Sequence, residues 1–259
     1  MIGISGQVAV VTGGSKGLGR HLVERLTGEG LQVACLARRS PQLEEVGRKF
    51  PDALAIECDL GDYEQCASAI ARTVERFGRL DAVINNAGVI EPFLIEDATP
   101  EQVMKVTRVN FLAPIWTTKA AIPHLRSTKG QIISISSETV RWPYPYMSIY
   151  ASTKAGMENF HAAMREELRS DEIRVSLVRS GHFEREAHGA GDRKTEVTGA
   201  FVEAALRTGH KAWTGAGFSM ESMADAVIAL LRLDREVNID LIEVRGTIGG
   251  HVLKPREPT

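Results

Sequence analysis

At 259 residues, with 31 Lys and Arg against 33 Asp and Glu, the chain carries a formal net charge of −2. Its 43% hydrophobic and 25% charged residues are those of a soluble globular protein large enough to bury a core without disulfide or metal staples. Near-neutral charge without like-charge runs speaks against a nucleic-acid or membrane-surface binder, and no apolar stretch is long enough to span a bilayer. Cys35, Cys58 and Cys66 are not in a C-x-x-C arrangement and read as buried thiols of a reducing compartment. The opening residues carry no basic leader, so no signal peptide is expected and the expected location is the cytoplasm.

Short β-branched runs alternate with segments of helical period. Val8–Thr12, Gln32–Ala37, Ala53–Cys58, Ala82–Asn85, Gln131–Ser136, Arg174–Val178 and Asp240–Val244 read as strands, and helices are predicted from Gly17, Pro41, Tyr63, Pro100, Ser148 and Glu221. This alternation predicts an α/β fold, a parallel sheet with helices on both faces. Several strands are apolar throughout, as expected of strands covered on both sides. Thr99-Pro100-Glu101-Gln102 combines an N-cap threonine, a proline at the first helical position and a capping-box glutamine. The least regular stretch is His182–Phe218, rich in glycine and charge. It reads as an excursion from the sheet with a short helix near Val197–Leu206, of the kind that forms lids.

The first strand runs into Thr12-Gly13-Gly14-Ser15-Lys16-Gly17-Leu18-Gly19 and then a helix. Glycines at such a turn let the backbone approach a pyrophosphate, and the helix N-terminus offers unpaired amides and the positive end of its dipole. The second strand ends in Leu36-Ala37-Arg38-Arg39. An acid there would bind a ribose hydroxyl and repel a 2′-phosphate. Arg38 and Arg39, with Lys16 nearby, suit the phosphate, so NADP(H) is expected over NAD. The bland alternative is that both arginines are solvated surface charges.

Tyr150-Ala151-Ser152-Thr153-Lys154 opens a predicted helix, which places the phenol and the ammonium on one face. Tyrosine titrates near ~10 unperturbed, and a fixed cation favours its phenolate, so the pair suits proton transfer near neutral pH. Ser136-Ser137 ends the preceding strand, at the edge of a parallel sheet where ligands sit.

Together these residues resemble the short-chain dehydrogenase/reductase family, across essentially the whole length. The matching motifs are Thr12-Gly13-x-x-x-Gly17-x-Gly19, Asp59 after the third strand, Asn85-Asn86-Ala87-Gly88 after the fourth, Asn110 within a helix, Ser137, and Tyr150-x-x-x-Lys154. The 13-residue step to Tyr150 selects Ser137 over Ser136. The resemblance implies one Rossmann-type domain, a doubly wound seven-stranded parallel sheet over residues 1–259, with a substrate lid at about 182–218. It implies Tyr150 as acid and base, Lys154 holding the nicotinamide ribose, Ser137 positioning the carbonyl and Asn110 holding a water of a proton relay. Asp59 and Leu60 would meet the adenine, while Asn86, Ala87 and Gly88 would line the adenosine side. Gly13, Ser15, Lys16, Gly17, Leu18 and Gly19 would cradle the pyrophosphate, and Gly181 the nicotinamide side. Members are commonly homotetramers or homodimers. The closing segment, Asn238–Arg245, looks like the last strand of NADP-preferring carbonyl reductases in the family.

The chain departs from the family after the sixth strand, where Pro-Gly is usual and a threonine follows. Here Arg179-Ser180-Gly181-His182 puts a serine at the proline position and offers no threonine. Trp142 and Tyr144, in an aromatic, proline-containing loop, and His182 are expected near the substrate. His182 and His188, with Glu184 and Glu186 between, show no zinc spacing, and no metal is expected. Trp213 is a candidate to close the lid. The expected function is NADPH-dependent interconversion of a carbonyl and an alcohol. The alternatives are a redox-silent nucleotide-binding regulator and a dehydratase or epimerase of a related branch.

Overall fold

The computed structural model describes residues 2–183, 195–208 and 217–247. The strands are β1 (Val8–Thr12), β2 (Gln32–Ala37), β3 (Ala53–Glu57), β4 (Ala82–Asn85), β5 (Gln131–Ser137), β6 (Arg174–Ser180) and β7 (Leu241–Val244). They form one seven-stranded sheet in the order β3-β2-β1-β4-β5-β6-β7, and every adjacent pair is parallel. The order in which strands are added reverses between β1 and β4, the switch point at whose carboxyl ends parallel sheets bind ligands.

All residues of β1 are buried, because alternate side chains serve two cores. Ala9 and Val11 join a core with α1 (Gly17–Gly28), α2 (Pro41–Lys49) and α8 (Met220–Leu231). Val8 and Val10 join the opposite core with α3 (Tyr63–Phe77) and α5 (Ala113–Thr128). Three helices start on side-chain caps: Ser40, Asp62 and Ser219 each accept a hydrogen bond from a first-turn amide. Thr99 and Gln102 form the expected capping box at α4 (Pro100–Thr107).

The structure extends several expectations. The helix begun at Pro100 does not stop, but passes through a π turn at Arg108–Leu112 into α5. Pro114 lies in the first turn of α5 and Pro123 inside it, and these interrupt the helical signal in the sequence. β6 was expected to end at Val178 and continues to Ser180, which pairs with Ser137 of β5. A serine keeps the N–H that a proline lacks, so the ladder can run on. α7 (Thr195–Arg207) contains the short helix expected at 197–206. Phe183 and Phe218 pair across the base of the excursion with ring centroids 5.4 Å apart. Glu184, Glu186, His188 and Trp213 lie outside the described residues. No described helix is long and apolar enough to cross a membrane.

A chain of buried polar groups ties α6 (Ser148–Glu167) to the sheet. Thr117 of α5 donates to Asn85 Oδ1 at 2.6 Å, Asn85 Nδ2 donates to Ser134 Oγ at 3.1 Å, and Ser134 Oγ lies 2.6 Å from His161 Nε2. His161 Nδ1 is 2.9 Å from the Met157 carbonyl, which can only accept, so Nδ1 carries the proton and Nε2 accepts from Ser134. Burial pushes the His161 pKa down to about 4, against the opposing pull of the Met157 carbonyl. The unfolded chain therefore binds a proton at this site that the folded chain refuses. The contribution is fully present above about pH 6.5 and is lost as pH falls toward 4. Urea unfolding across pH is expected to give a wild-type minus His161→Gln stability difference that is flat above pH 6.5 and drops by about 3 kcal/mol by pH 4.

Candidate active site

The glycine turn between β1 and α1 is shaped by close backbone approaches. Gly13 and Gly17 have φ of +66° and +52°, in the region that disfavours side chains. A Cβ on Gly19 would sit 2.2 Å from the Gly13 carbonyl oxygen. The turn is locked to the loop after β4: the Thr12 hydroxyl accepts from the backbone amides of Asn86 and Ala87, both at 3.0 Å, and Asn86 Nδ2 donates to the Thr12 carbonyl at 2.9 Å. Lys16 is the N-cap of α1, without a side-chain cap bond, and no acid lies in the first turn. Ser15, Leu18 and Gly19 are buried behind it. The turn thus delivers the chain into the N-terminus of α1, where first-turn amides suit an anion.

Lys16, Arg38 and Arg39 are all exposed, and no acid follows β2. Asp59 Oδ1 accepts from the Gly61 amide at 3.0 Å, and the Asp59 amide donates to Gln65 Oε1 at 2.8 Å. The helix-capping role falls to Asp62, so Asp59 shapes the turn with one oxygen. Leu60 beside it is buried.

Tyr150 and Lys154 lie in the first two turns of α6, 8% and 4% exposed. Lys154 Nζ donates to the Ile135 carbonyl at 2.7 Å and stands 6.0 Å from the centre of the Tyr150 ring. Burial pushes the Lys154 pKa down to about 8, with the Glu158 carboxylate pulling the other way. A Cβ on Gly88 would lie 3.7 Å from Asn110 Oδ1 and 3.9 Å from Lys154 Nζ, so these three positions meet. Asn110 sits fully buried in the π turn, and its amide pairs both ways with the backbone of Val89: Oδ1 accepts at 2.8 Å and Nδ2 donates at 2.9 Å. A π turn inside a helix frequently marks a functional site. Ser137, at the end of β5, accepts from the amide and hydroxyl of Thr139 at 3.2 and 3.0 Å. In both contacts Ser137 is the acceptor.

Glu138 escapes a reading of the sequence, since nothing marks an acid after Ser137 as buried. It is 5% exposed, and burial pushes its carboxyl up against the opposing hydrogen bond from Tyr144, whose hydroxyl donates at 3.1 Å. The Tyr144 ring meets Phe201 of α7 with centroids 6.2 Å apart, which joins the loop after Ser137 to the excursion. Trp142 is flanked by the guanidinium groups of Arg141 and Arg245, at 4.9 and 4.1 Å. His182 is exposed, and its carbonyl accepts from the Phe218 amide at 3.3 Å. Ser180 Oγ donates to the Gly181 carbonyl at 2.8 Å, and the Gly181 amide donates to Val244 of β7 at 2.8 Å. These two bonds hold the turn where a proline is missing. Among the described residues no group of three His, Cys, Asp or Glu side chains is placed to hold a metal.

A family model for the short chain dehydrogenases matches residues 7–195. The chain belongs to the short-chain dehydrogenase family. It is 37% identical over 187 residues to an 11-beta-hydroxysteroid dehydrogenase-like 4A of Arabidopsis thaliana, covering 70% of this chain and 62% of that protein. It is 32% identical over 201 residues to an 11-beta-hydroxysteroid dehydrogenase A of Sesamum indicum, covering 73% and 58%. The chain thus spans less than two thirds of the length of these curated relatives. Among solved structures, a short chain dehydrogenase from Burkholderia cenocepacia J2315 in complex with NADP superposes with a TM-score of 0.81 at 27% identity, over 95% of this chain and 99% of that one. A metagenomic short-chain oxidoreductase in complex with NADP gives a TM-score of 0.77 at 27% identity, over 96% and 100%. The seven-stranded parallel sheet is the fold that the chain shares with these structures.

The Gly19 approach tests the cradle. Gly19→Ala is expected to cost about 1–3 kcal/mol of stability in chemical unfolding and to weaken nucleotide binding by about tenfold or more, read by titration of the folded variant.

Proposed function

We propose that this short-chain dehydrogenase reduces a carbonyl to an alcohol with NADPH, and catalyses the reverse reaction, with Tyr150 as the general acid and base. One observation supports the reading: Lys154 Nζ, 6.0 Å from the centre of the Tyr150 ring, bonds the Ile135 carbonyl two residues before Ser137 at the end of β5, beside Gly88 and the π turn that holds Asn110.

The nucleotide fits the residues present. Gly13, Ser15, Lys16, Gly17, Leu18 and Gly19 would hold the pyrophosphate, Asp59, Leu60, Asn86, Ala87 and Gly88 the adenosine, and Lys154 and Gly181 the nicotinamide end. The bound cofactor would supply the hydride. NADPH is favoured over NADH by the missing acid after β2 and by exposed Arg38 and Arg39, whose guanidinium groups suit a 2′-phosphate. The relatives solved with NADP support the same choice.

Ser137 accepts from Thr139 and keeps its own hydroxyl hydrogen for the substrate carbonyl oxygen. Tyr150 then gives its phenolic proton to that oxygen. The ammonium of Lys154 stabilises the phenolate left behind. Both ends of the Asn110 amide are taken by Val89, so a relay water would meet the backbone of the π turn rather than a freely turning side chain. Trp142, Tyr144 and His182 would line the approach for substrate within one Rossmann-type domain, and α7, which Tyr144 meets at Phe201, would cover it. Relatives named as hydroxysteroid dehydrogenases have a substrate alcohol of the same reaction class. Exposed Ile90, Leu94, Ile95 and Met104 near α4 support assembly into a homodimer or homotetramer.

Fluorescence titration with NADPH and NADH, followed by a carbonyl panel, tests the reading. NADPH is expected to bind at least about tenfold more tightly, and Arg38→Ala to erase most of that preference. A carbonyl in the panel should drive NADPH oxidation. NADPH bound without turnover of any carbonyl would favour the redox-silent regulator, with Ser180 in place of the family's proline as the first suspect.

A further inference from the structure

Glu158 follows Lys154 by one turn of α6, as Lys154 follows Tyr150, so the three side chains share a face. The Glu158 carboxylate is fixed from three directions. Oε1 accepts from Ser136 Oγ at 2.5 Å and from Arg179 Nε at 3.0 Å, and Oε2 accepts from Arg179 Nη2 at 2.6 Å. The Glu158 and Arg179 side chains are only 12% and 15% exposed, so solvent screens the pair weakly. Arg179 also binds Glu243 of β7, and Arg141 and Arg245 reach the same carboxylate.

The surroundings of Lys154 hold few charges. From α6 come Tyr150, Glu158 and His161, and burial keeps His161 neutral. From β5 comes the Ile135 carbonyl, from the π turn the Asn110 amide, and from the loop after β4 the backbone of Gly88. From β6 comes Arg179, with its charge set against Glu158 and Glu243. Glu158, one helical turn away, is the one carboxylate among these described groups whose charge favours the Lys154 ammonium. A buried ammonium needs such a partner, since burial alone disfavours its charge.

We propose that Glu158, held in place by Arg179 and Ser136, is a positioning residue that keeps Lys154 charged beside Tyr150 at working pH. The clamp also sets the carboxyl end of β6, because Arg179 directly precedes the Ser180-Gly181 turn. This inference rests on the acid–base role proposed for Tyr150 and Lys154, so its test has a readout that does not need turnover.

The cofactor-free protein, labelled at lysine Cε, would be titrated by NMR, with the Lys154 signal assigned by its absence in Lys154→Arg. The wild-type signal should titrate near pH 8. Glu158→Gln should lower that midpoint by about one unit. Glu243→Gln, on the exposed edge strand, leaves Arg179 less neutralised and should lower it by a smaller amount, which keeps the test open should Glu158→Gln fail to fold. In carbonyl reduction, the loss of rate in Glu158→Gln should grow by about fivefold from pH 6 to pH 8. An unmoved Lys154 midpoint in the folded variants, or a loss of rate equal at every pH, would overturn the proposal. A moved midpoint with no turnover in any form, wild type included, would instead sink the oxidoreductase reading and leave Glu158's role standing.

Discussion

A buried ammonium is the constraint around which this molecule is arranged. Lys154 is almost fully enclosed, and an enclosed charge is costly unless neighbours answer it. The answers come from separate parts of the chain: the Ile135 carbonyl from β5, the Glu158 carboxylate from the next turn of α6, and the narrow gap left by Gly88 after β4. Each requires the parallel register of β4 and β5 and the seating of α6 against them. Tyr150 stands one turn before this charge, as its proposed acid–base role requires.

That seating is made by polar contacts crossing the core rather than by apolar packing alone. The Thr117–Asn85–Ser134–His161 chain links α5, β4, β5 and α6 in one line. Such a chain is satisfied in one register only, since a slip by one residue would reverse the faces of every strand side chain. The Thr12 hydroxyl performs a similar task on the cofactor side, where it holds the glycine turn against Asn86 and Ala87. Rigid strands thus present the loops that would meet the two ligands.

The sheet was legible in the sequence because strands covered on both faces are apolar throughout, and the glycine turn because its spacing has few other uses. The first turn of α4 was legible from its capping box, and that of α6 from the Tyr150–Lys154 spacing. The π turn around Asn110 and the continuation of the helix to Thr128 were not, because Pro114 and Pro123 mask the period and a π turn has no sequence signal of its own. The end of β6 was misplaced for a related reason: Ser180 pairs with Ser137 across the sheet, a contact between positions far apart in the chain. Glu138, Glu158 and Arg179 read as ordinary surface charges until the fold brings Tyr144, Ser136 and Glu243 to them. Local pattern reports an element, while the burial of a charge depends on partners that local pattern does not contain.

The most direct test of the central claim is single-turnover reduction of a carbonyl by the NADPH-loaded protein, comparing wild type with Tyr150→Phe. Phenylalanine keeps the ring that packs beside Phe93 and Met147 and removes only the hydroxyl group. The account predicts unchanged nucleotide binding and a rate lower by about 10²–10⁴-fold. A Tyr150→Phe rate within about twofold of wild type would contradict it, and would move the search for the proton donor to another group beside Ser137.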